Sequence, residues 1–173
     1  YYTIPQGGLS EASVLTSSVL MFIGGSPAGT AGGIKTVTLG IVVVTIISAL
    51  RGRSKVEAMG RTLPLDLLQK ALTVTGMLLF VVMSATTVLY FSEMQSPFSH
   101  SILDLLFETC SAAGTVGLTT GITPHLSAVG KVTVTLCMFL GRLSPVTVVV
   151  ALNIRRHRAG DSIAYPDERV IIG

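Results

Sequence analysis

An apolar run that begins at Val14 is cut by Gly24-Gly-Ser-Pro-Ala-Gly-Thr-Ala-Gly-Gly33 and resumes from Ile34 to Leu50. No other feature narrows the accessible folds so far. The stretch from Val14 to Ile23 gives only about half of a span, since a helix needs ~20 residues to cross the hydrocarbon layer. The two halves together make one crossing, interrupted near its middle. Irregular backbone at membrane depth is tolerated only where protein buries it or where it lines a water-filled cavity. A loop with five glycines and a proline at that depth is a candidate gate or constriction. Its two broken helix ends leave unpaired N–H and C=O groups that can face ions. A plain turn between two half-hydrophobic helices is the other reading, and both stand at this point.

The rest of the composition agrees with a lipid setting. Of 173 residues, 49% are apolar and 12% charged, against roughly 25% charged in a soluble domain. The expected fold class is an all-α membrane protein. Cys110 and Cys137 both fall in expected membrane segments and read as small core residues, not as a disulfide or a metal site. His100, His125 and His157 lie apart, with no ligand spacing. No basic stripe carries interleaved aromatics, which argues against nucleic acid as a partner. The chain is not expected to be an enzyme. Tyr1-Tyr-Thr-Ile-Pro5, without an initiator Met, reads as the middle of a longer sequence, so the chain is expected to be a C-terminal piece of a larger membrane protein.

Lys35 and Thr36 follow the glycine loop and raise a nucleotide reading. A phosphate-binding loop needs Gly-Lys-[Ser/Thr] between a strand and a helix. Here Ile34 separates Gly33 from Lys35, and an apolar helix precedes the loop. Lys35 is then either an interface lysine reaching for polar groups or a fixed charge near an ion path.

Before the loop, Ser10 is the expected N-cap of the first helix, with Glu11 and Ser13 in its first turn. After it come Arg51, Arg53, Lys55 and Arg61, a basic cluster between membrane segments that marks the cytoplasmic side. Leu65 to Phe91 supplies a full crossing, and Ser92-Glu-Met-Gln-Ser-Pro97 a short external turn without Lys or Arg. The segment Phe98 to Cys110 is too short to span and carries Asp104 and Glu108, which lipid would not tolerate cheaply. It reads as a re-entrant pore helix whose negative dipole end favours a cation beyond it. The two carboxylates lie four residues apart on one face, where a structural or field-setting role is preferred to a metal site.

Ser111-Ala-Ala-Gly-Thr-Val-Gly-Leu-Thr119 follows that segment. Gly114 and Gly117 are expected to take backbone conformations closed to residues with a Cβ. Successive carbonyls, at Thr115, Val116, Gly117 and Leu118, could then replace an ion's hydration shell. Thr115 can add a hydroxyl acceptor at the mouth. The last span, Leu126 to Ile154, holds Gly141-Arg142-Leu-Ser-Pro145 at its middle. An arginine there costs at least ~2.5 kcal/mol on insertion scales, so Arg142 should face the interior with an acceptor. Either a buried ion pair or a place beside the ion path would satisfy it. Pro145 offers a kink. Arg155-Arg-His-Arg158 marks a second cytoplasmic exit. The expected topology is a multi-pass chain in the cell membrane, with its N-terminus outside and its C-terminus cytoplasmic.

These motifs carry a resemblance. Gly24 to Lys35 resembles the intramembrane loop of the Ktr/Trk/HKT superfamily of potassium transporters, and Ser111 to Pro124 is similar to the filter of that family's fourth repeat. Phe139-Leu-Gly-Arg-Leu-Ser-Pro145 is similar to the family's last helix, and Tyr165 to Gly173 to the ending of its KtrB-type membrane subunits, also labelled NtpJ. The resemblance implies helix–pore-loop–helix repeats of the potassium-channel-like transporter fold. Residues 1–50 would be the last, broken helix of the third repeat, and residues 51–64 a cytoplasmic loop. Residues 65–154 would be the fourth repeat, with helix 65–91, pore helix 98–110, filter 111–119 and helix 126–154, and residues 155–173 a cytoplasmic tail. It implies potassium as the transported ion, held at the carbonyls of Thr115, Val116, Gly117 and Leu118, and no cofactor. It implies a gate made by Gly24, Gly25, Ser26, Gly29, Thr30, Gly32, Gly33 and Lys35, with Arg142 near it. A homodimer in membrane lipid, resting on a cytoplasmic ring of nucleotide-binding regulatory subunits of the KtrA/TrkA kind, is the implied assembly. The competing class is a membrane-embedded structural or sodium-translocating subunit in which the loops only pack.

Overall fold

The computed structural model of the chain describes residues 3–27, 29–52, 56–58, 61–94 and 100–142. Within them lie five α-helices: α1 (Glu11–Ile23), α2 (Thr36–Leu50), α3 (Leu65–Glu93), α4 (Ile102–Ala113) and α5 (Ala128–Arg142). A hairpin of two-residue strands, Glu57–Ala58 with Arg61–Thr62, sits between α2 and α3, a small exception to an otherwise helical chain. The last part of the expected final span, with Pro145, and the tail from Arg155 lie outside the described residues.

α1 starts where its sequence says it should, because Ser10 accepts a hydrogen bond from the Ser13 N–H at 3.3 Å. It ends at Gly24, whose φ of +62° is closed to most side chains. α2 resumes almost where α1 stopped. The Ile34 N–H donates to the Phe22 carbonyl at 3.0 Å and the Thr36 N–H to the Gly25 carbonyl at 3.2 Å. The glycine stretch is thus an excursion from a helical path with a pinned neck, and the interrupted helix is a matter of geometry as well as of pattern. The second half begins at Thr36, two residues later than its apolar character suggests.

α3 has the length and apolarity to cross a membrane. Its outward side presents Leu72, Leu79, Phe80, Met83 and Phe91, and its inward side buries Leu78, Val82, Ala85 and Leu89. α4 is the hub: it packs against α1, α3 and α5, and Leu105 and Phe107 to Ala113 are all buried. It begins at Ile102 and not at Phe98, a position outside the described residues. Its start is set by a capping box in which Ser101 caps and Asp104 accepts the Ser101 N–H at 3.3 Å. It ends at Ala113 and not at Cys110, taking the first three residues of the expected filter stretch into the helix.

Apolar burial alone discriminates poorly between helices when lipid is the alternative, so small residues and polar links set their contacts. The Thr86 and Thr109 hydroxyls meet at 2.8 Å between α3 and α4. The Cys137 thiol lies 3.6 Å from the Thr109 carbonyl, joining α5 to α4. Both cysteines are free and buried, as core residues.

Glu93 departs from expectation. It is not in an external turn but is the last, buried residue of α3. One carboxylate oxygen accepts from the Ser127 N–H at 3.0 Å and from the Ser127 hydroxyl at 2.7 Å. The same Ser127 hydroxyl accepts from the Gly130 N–H at 3.1 Å. A carboxylate at the end of one helix therefore fixes the start of another. Replacing Glu93 by Ala in the full-length parent protein takes the acceptor from two half-buried donors of Ser127 and is expected to cost about 1–3 kcal/mol. The check is the thermal midpoint in detergent, which should fall; an unchanged midpoint would contradict this role.

Candidate ion pathway

The three motifs singled out in the sequence meet in space. Gly32, in the glycine loop, donates its N–H to the Thr115 hydroxyl at 2.9 Å. Arg142, at the end of α5, donates from Nη1 to the Thr30 carbonyl at 2.7 Å. One loop is thus tied both to the segment that follows α4 and to the last helix. The Thr115 hydroxyl, expected as an acceptor at a mouth, is instead engaged with the loop. Among the described residues, Arg142 finds its acceptor in a main-chain carbonyl and not in a carboxylate.

The loop also holds itself. Lys35 Nζ reaches back to the Ala31 carbonyl at 2.5 Å and the Gly29 carbonyl at 3.2 Å. The Gly29 N–H closes a turn on the Ser26 carbonyl at 2.9 Å. Ser26 and Thr30 are exposed, Gly24 and Gly25 half-buried, and Gly32 and Gly33 buried. Gly33 takes φ +74°, while Gly32 is required by proximity. A Cβ there would come within 2.9 Å of the Ala113 carbonyl oxygen and 2.9 Å of Thr115 Cγ2.

After α4 the chain turns sharply. Gly117 has φ +81°, as expected for the TVG motif, but the other unusual position is Thr115, at φ +53°, and not Gly114. Gly114 caps α4 in a right-handed conformation at φ −73°. Its need for glycine is close approach, because a Cβ would lie 2.6 Å from the Met21 carbonyl oxygen of α1. Val116 and Gly117 are exposed, and Leu118 is half-buried against the core. Gly141 works as Gly114 does: a Cβ there would lie 2.7 Å from Ala113 Cα, so α5 rests on the end of α4 one residue before Arg142.

Two cavities flank this junction, and Arg142 lines both. One, of about 480 Å³, lies between the loop, α2 and α3. Among the described residues, Lys35, Lys70 and Arg142 line it with no carboxylate, so that lining is positive. The other, of about 450 Å³, is lined by Glu108, Ser111, Thr115, Gly117, Leu118, Thr119 and Thr123, with Met138 and Arg142. Glu108 is bonded there to Thr123, which in turn meets Thr119.

Sequence reasoning missed Glu93, Thr119, Thr123 and Ser127. Ser101-Ile-Leu-Asp104 and Ser127-Ala-Val-Gly130 were readable as helix starts from the serine at each cap position. The Glu108–Thr123 contact spans fifteen residues and had no local signal.

The geometry separates two glycines. Gly32→Ala should push the loop from Thr115 and lower the thermal midpoint of the full-length parent, since main-chain atoms cannot yield as a flexible side chain can. Gly40→Ala, in α2 with nothing within 4 Å of its Cβ, should change stability by no more than about 1 kcal/mol, in the stabilising direction. Equal midpoints for the two variants would refute the close approach.

The sequence profile of the TrkH family, described as a cation transport protein, matches residues 1–159. The chain is 38% identical, over its whole length, to the potassium/sodium uptake protein NtpJ of Enterococcus hirae, covering 38% of that protein. It is 41% identical to the Ktr system potassium uptake protein D of Bacillus subtilis, over 99% of this chain and 36% of the relative. The Ktr system potassium uptake protein B of the same organism is 37% identical, over 96% of this chain and 36% of the relative. The chain thus spans little more than a third of the length of these relatives. The match over most of its residues shows that the chain belongs to the TrkH family of cation transport proteins.

Proposed function

We propose that this chain is the filter-and-gate portion of a potassium-translocating pore subunit of the Ktr/Trk type. The observation that carries the reading is the pair of bonds that tie the glycine loop to Thr115 and to Arg142. A loop that joins the TVG segment to the arginine of α5 is placed to couple the two, as a gate beside a filter would be. The main-chain carbonyls of Thr115, Val116, Gly117 and Leu118 select the cation by replacing its hydration shell. The C-terminal end of α4 leads directly into that segment, and its partial negative charge favours a cation there. The substrate, potassium, is taken from the names of the relatives.

The loop from Gly24 to Lys35 is the gate. On one side of it lies the cavity lined by Glu108, and on the other the cavity lined by Lys35, Lys70 and Arg142. A potassium ion passing the loop meets positive charge at close range. At 4 Å two like charges repel by about 4 kcal/mol in an effective dielectric of 20. The closed loop is therefore an electrostatic barrier as well as a steric one, and its opening must move Lys35 and Arg142 away from the path.

Residues 1–50 are the end of one repeat and residues 65–154 the next. The close approach of Gly7 to the Thr120 carbonyl fits this division, since it sets the segment before α1 beside the link that follows the filter. The topology sets the basic cluster around Arg51 in the cytoplasm, with the N-terminal end of the chain outside. The full-length parent pairs as a homodimer in the cell membrane and carries a ring of nucleotide-binding regulatory subunits on its cytoplasmic side. A second reading, passage of sodium together with potassium, is favoured by the name of the Enterococcus relative.

Gly117→Ser in the full-length parent decides between filter and packing. Serine at φ +81° is strained, so the carbonyls on either side must turn. The expected result is a fall in potassium-over-sodium preference of at least about tenfold, equivalent to ~1.4 kcal/mol, measured by uptake into cells lacking other potassium transport. Unchanged preference would count against the filter. Equal uptake of both ions by the parent would favour the second reading.

A further inference from the structure

Glu108 has a feature that the filter and gate leave unused. The residue is 4% exposed, in the middle of the hub helix. Oε1 accepts the Thr123 hydroxyl at 2.5 Å. A hydroxyl has one proton to give, so the 2.8 Å contact between Thr119 and Thr123 must have Thr119 as donor. The Gly121 N–H in turn donates to the Thr119 hydroxyl at 3.0 Å. The whole relay therefore points its protons at Oε1. Oε2 is equally buried, and no group among the described residues donates to it or accepts from it. Among the described residues, an anion there has no hydrogen-bonded cation and an acid O–H no acceptor. Buried groups of this kind are paired or coordinate a metal ion.

The same residue lines the 450 Å³ cavity together with Ser111, Thr115 and Thr119. Ser111 is one helical turn from Glu108 and on its face. These are hard oxygen donors around one carboxylate. The other charged side chain on the cavity, Arg142, donates by Nη1 to the Thr30 carbonyl and keeps its positive charge, which weighs against a divalent ion there. One carboxylate with neutral hydroxyls balances a single positive charge, whereas divalent ions draw on more oxygen ligands, usually several of them carboxylates.

We propose that Glu108, with the Ser111 and Thr119 hydroxyls, forms a binding site for one alkali cation beside the Thr115–Leu118 segment and distinct from its main-chain carbonyls. The site shares with the proposed function the premise that alkali cations enter this cavity. Its anchor is a side chain, so it can be removed without altering the backbone of the filter. An ion held there neutralises Glu108 and lies next to the segment that the Thr119–Thr123 relay supports.

The test is crystallographic, on the full-length parent grown with thallium(I) in place of potassium. Anomalous density is expected beside the Glu108 carboxylate in the parent, and its loss in Glu108→Gln, with density along Thr115 to Leu118 retained. Parent density confined to the filter segment, or density beside position 108 that survives Glu108→Gln, would overturn the site. Should Glu108→Gln fail to fold, the parent crystal decides alone. In solution, potassium titrated against thermal stability should reach half-effect at a concentration about tenfold or more higher in Glu108→Gln, because the charge partner is gone; an unchanged half-effect concentration would overturn the site. Density beside Glu108 with none along the filter segment would contradict the proposed function and leave this site standing.

Discussion

Everything near the centre of this chain depends on where the glycine loop is held. The loop carries little side-chain surface of its own, so it has few ways to be fixed except through its backbone. Besides its main-chain turns, three side chains among the described residues hold it: Thr115 at the Gly32 N–H, Arg142 at the Thr30 carbonyl, and Lys35 at the Ala31 and Gly29 carbonyls. Unpaired main-chain groups are expensive to bury, which weighs most at the part-buried Gly32 link, while the links to Lys35 and Arg142 lie at exposed positions. They also make it releasable. Two of the three are donated by flexible cationic side chains, which can move to other acceptors without unfolding a helix.

Charge is distributed unevenly around that loop. The cavity on the α2–α3 side is lined by three cations, and the cavity beside the filter segment by one carboxylate and several hydroxyls, with Arg142 at the boundary. In the proposed function a cation is favoured on one side and resisted on the other while the loop is in place. In that arrangement Arg142 acts on both, as a donor to the loop and as part of each lining. Its exposure within this chain is compatible with a guanidinium set at an aqueous boundary, where an arginine in a membrane segment is least costly.

Much of the fold was legible because it follows from period and punctuation. Ser10, Gly24, Leu65 and the glycine break mark α1, α2 and the long helix α3 to within a few residues. α4 starts four residues beyond the expected Phe98, because the capping box at Ser101 and Asp104 supplies its opening. Its end was placed early because Ser111-Ala-Ala113 was assigned to the filter, although nothing there stops a helix. Glycine was correctly tied to special backbone at Gly117, but at Gly114 its reason is contact with Met21, a residue ninety-three positions away in the chain. The same limit hid Glu93 and Thr123. Long-range polar contacts have no period, and a carboxylate near a span end looks the same in sequence whether it faces water or caps a neighbouring helix.

The account rests on the loop as a barrier within a path for potassium. The most direct measurement is rubidium uptake by cells that carry only the full-length parent, with and without residues 28–32. The account predicts faster flux when the segment is removed, because the bonds to Thr115 and Arg142 go with it, and little change in preference for potassium over sodium. Unaltered flux in a protein of normal abundance would contradict the gate, and leave the glycine stretch as packing between two half-helices.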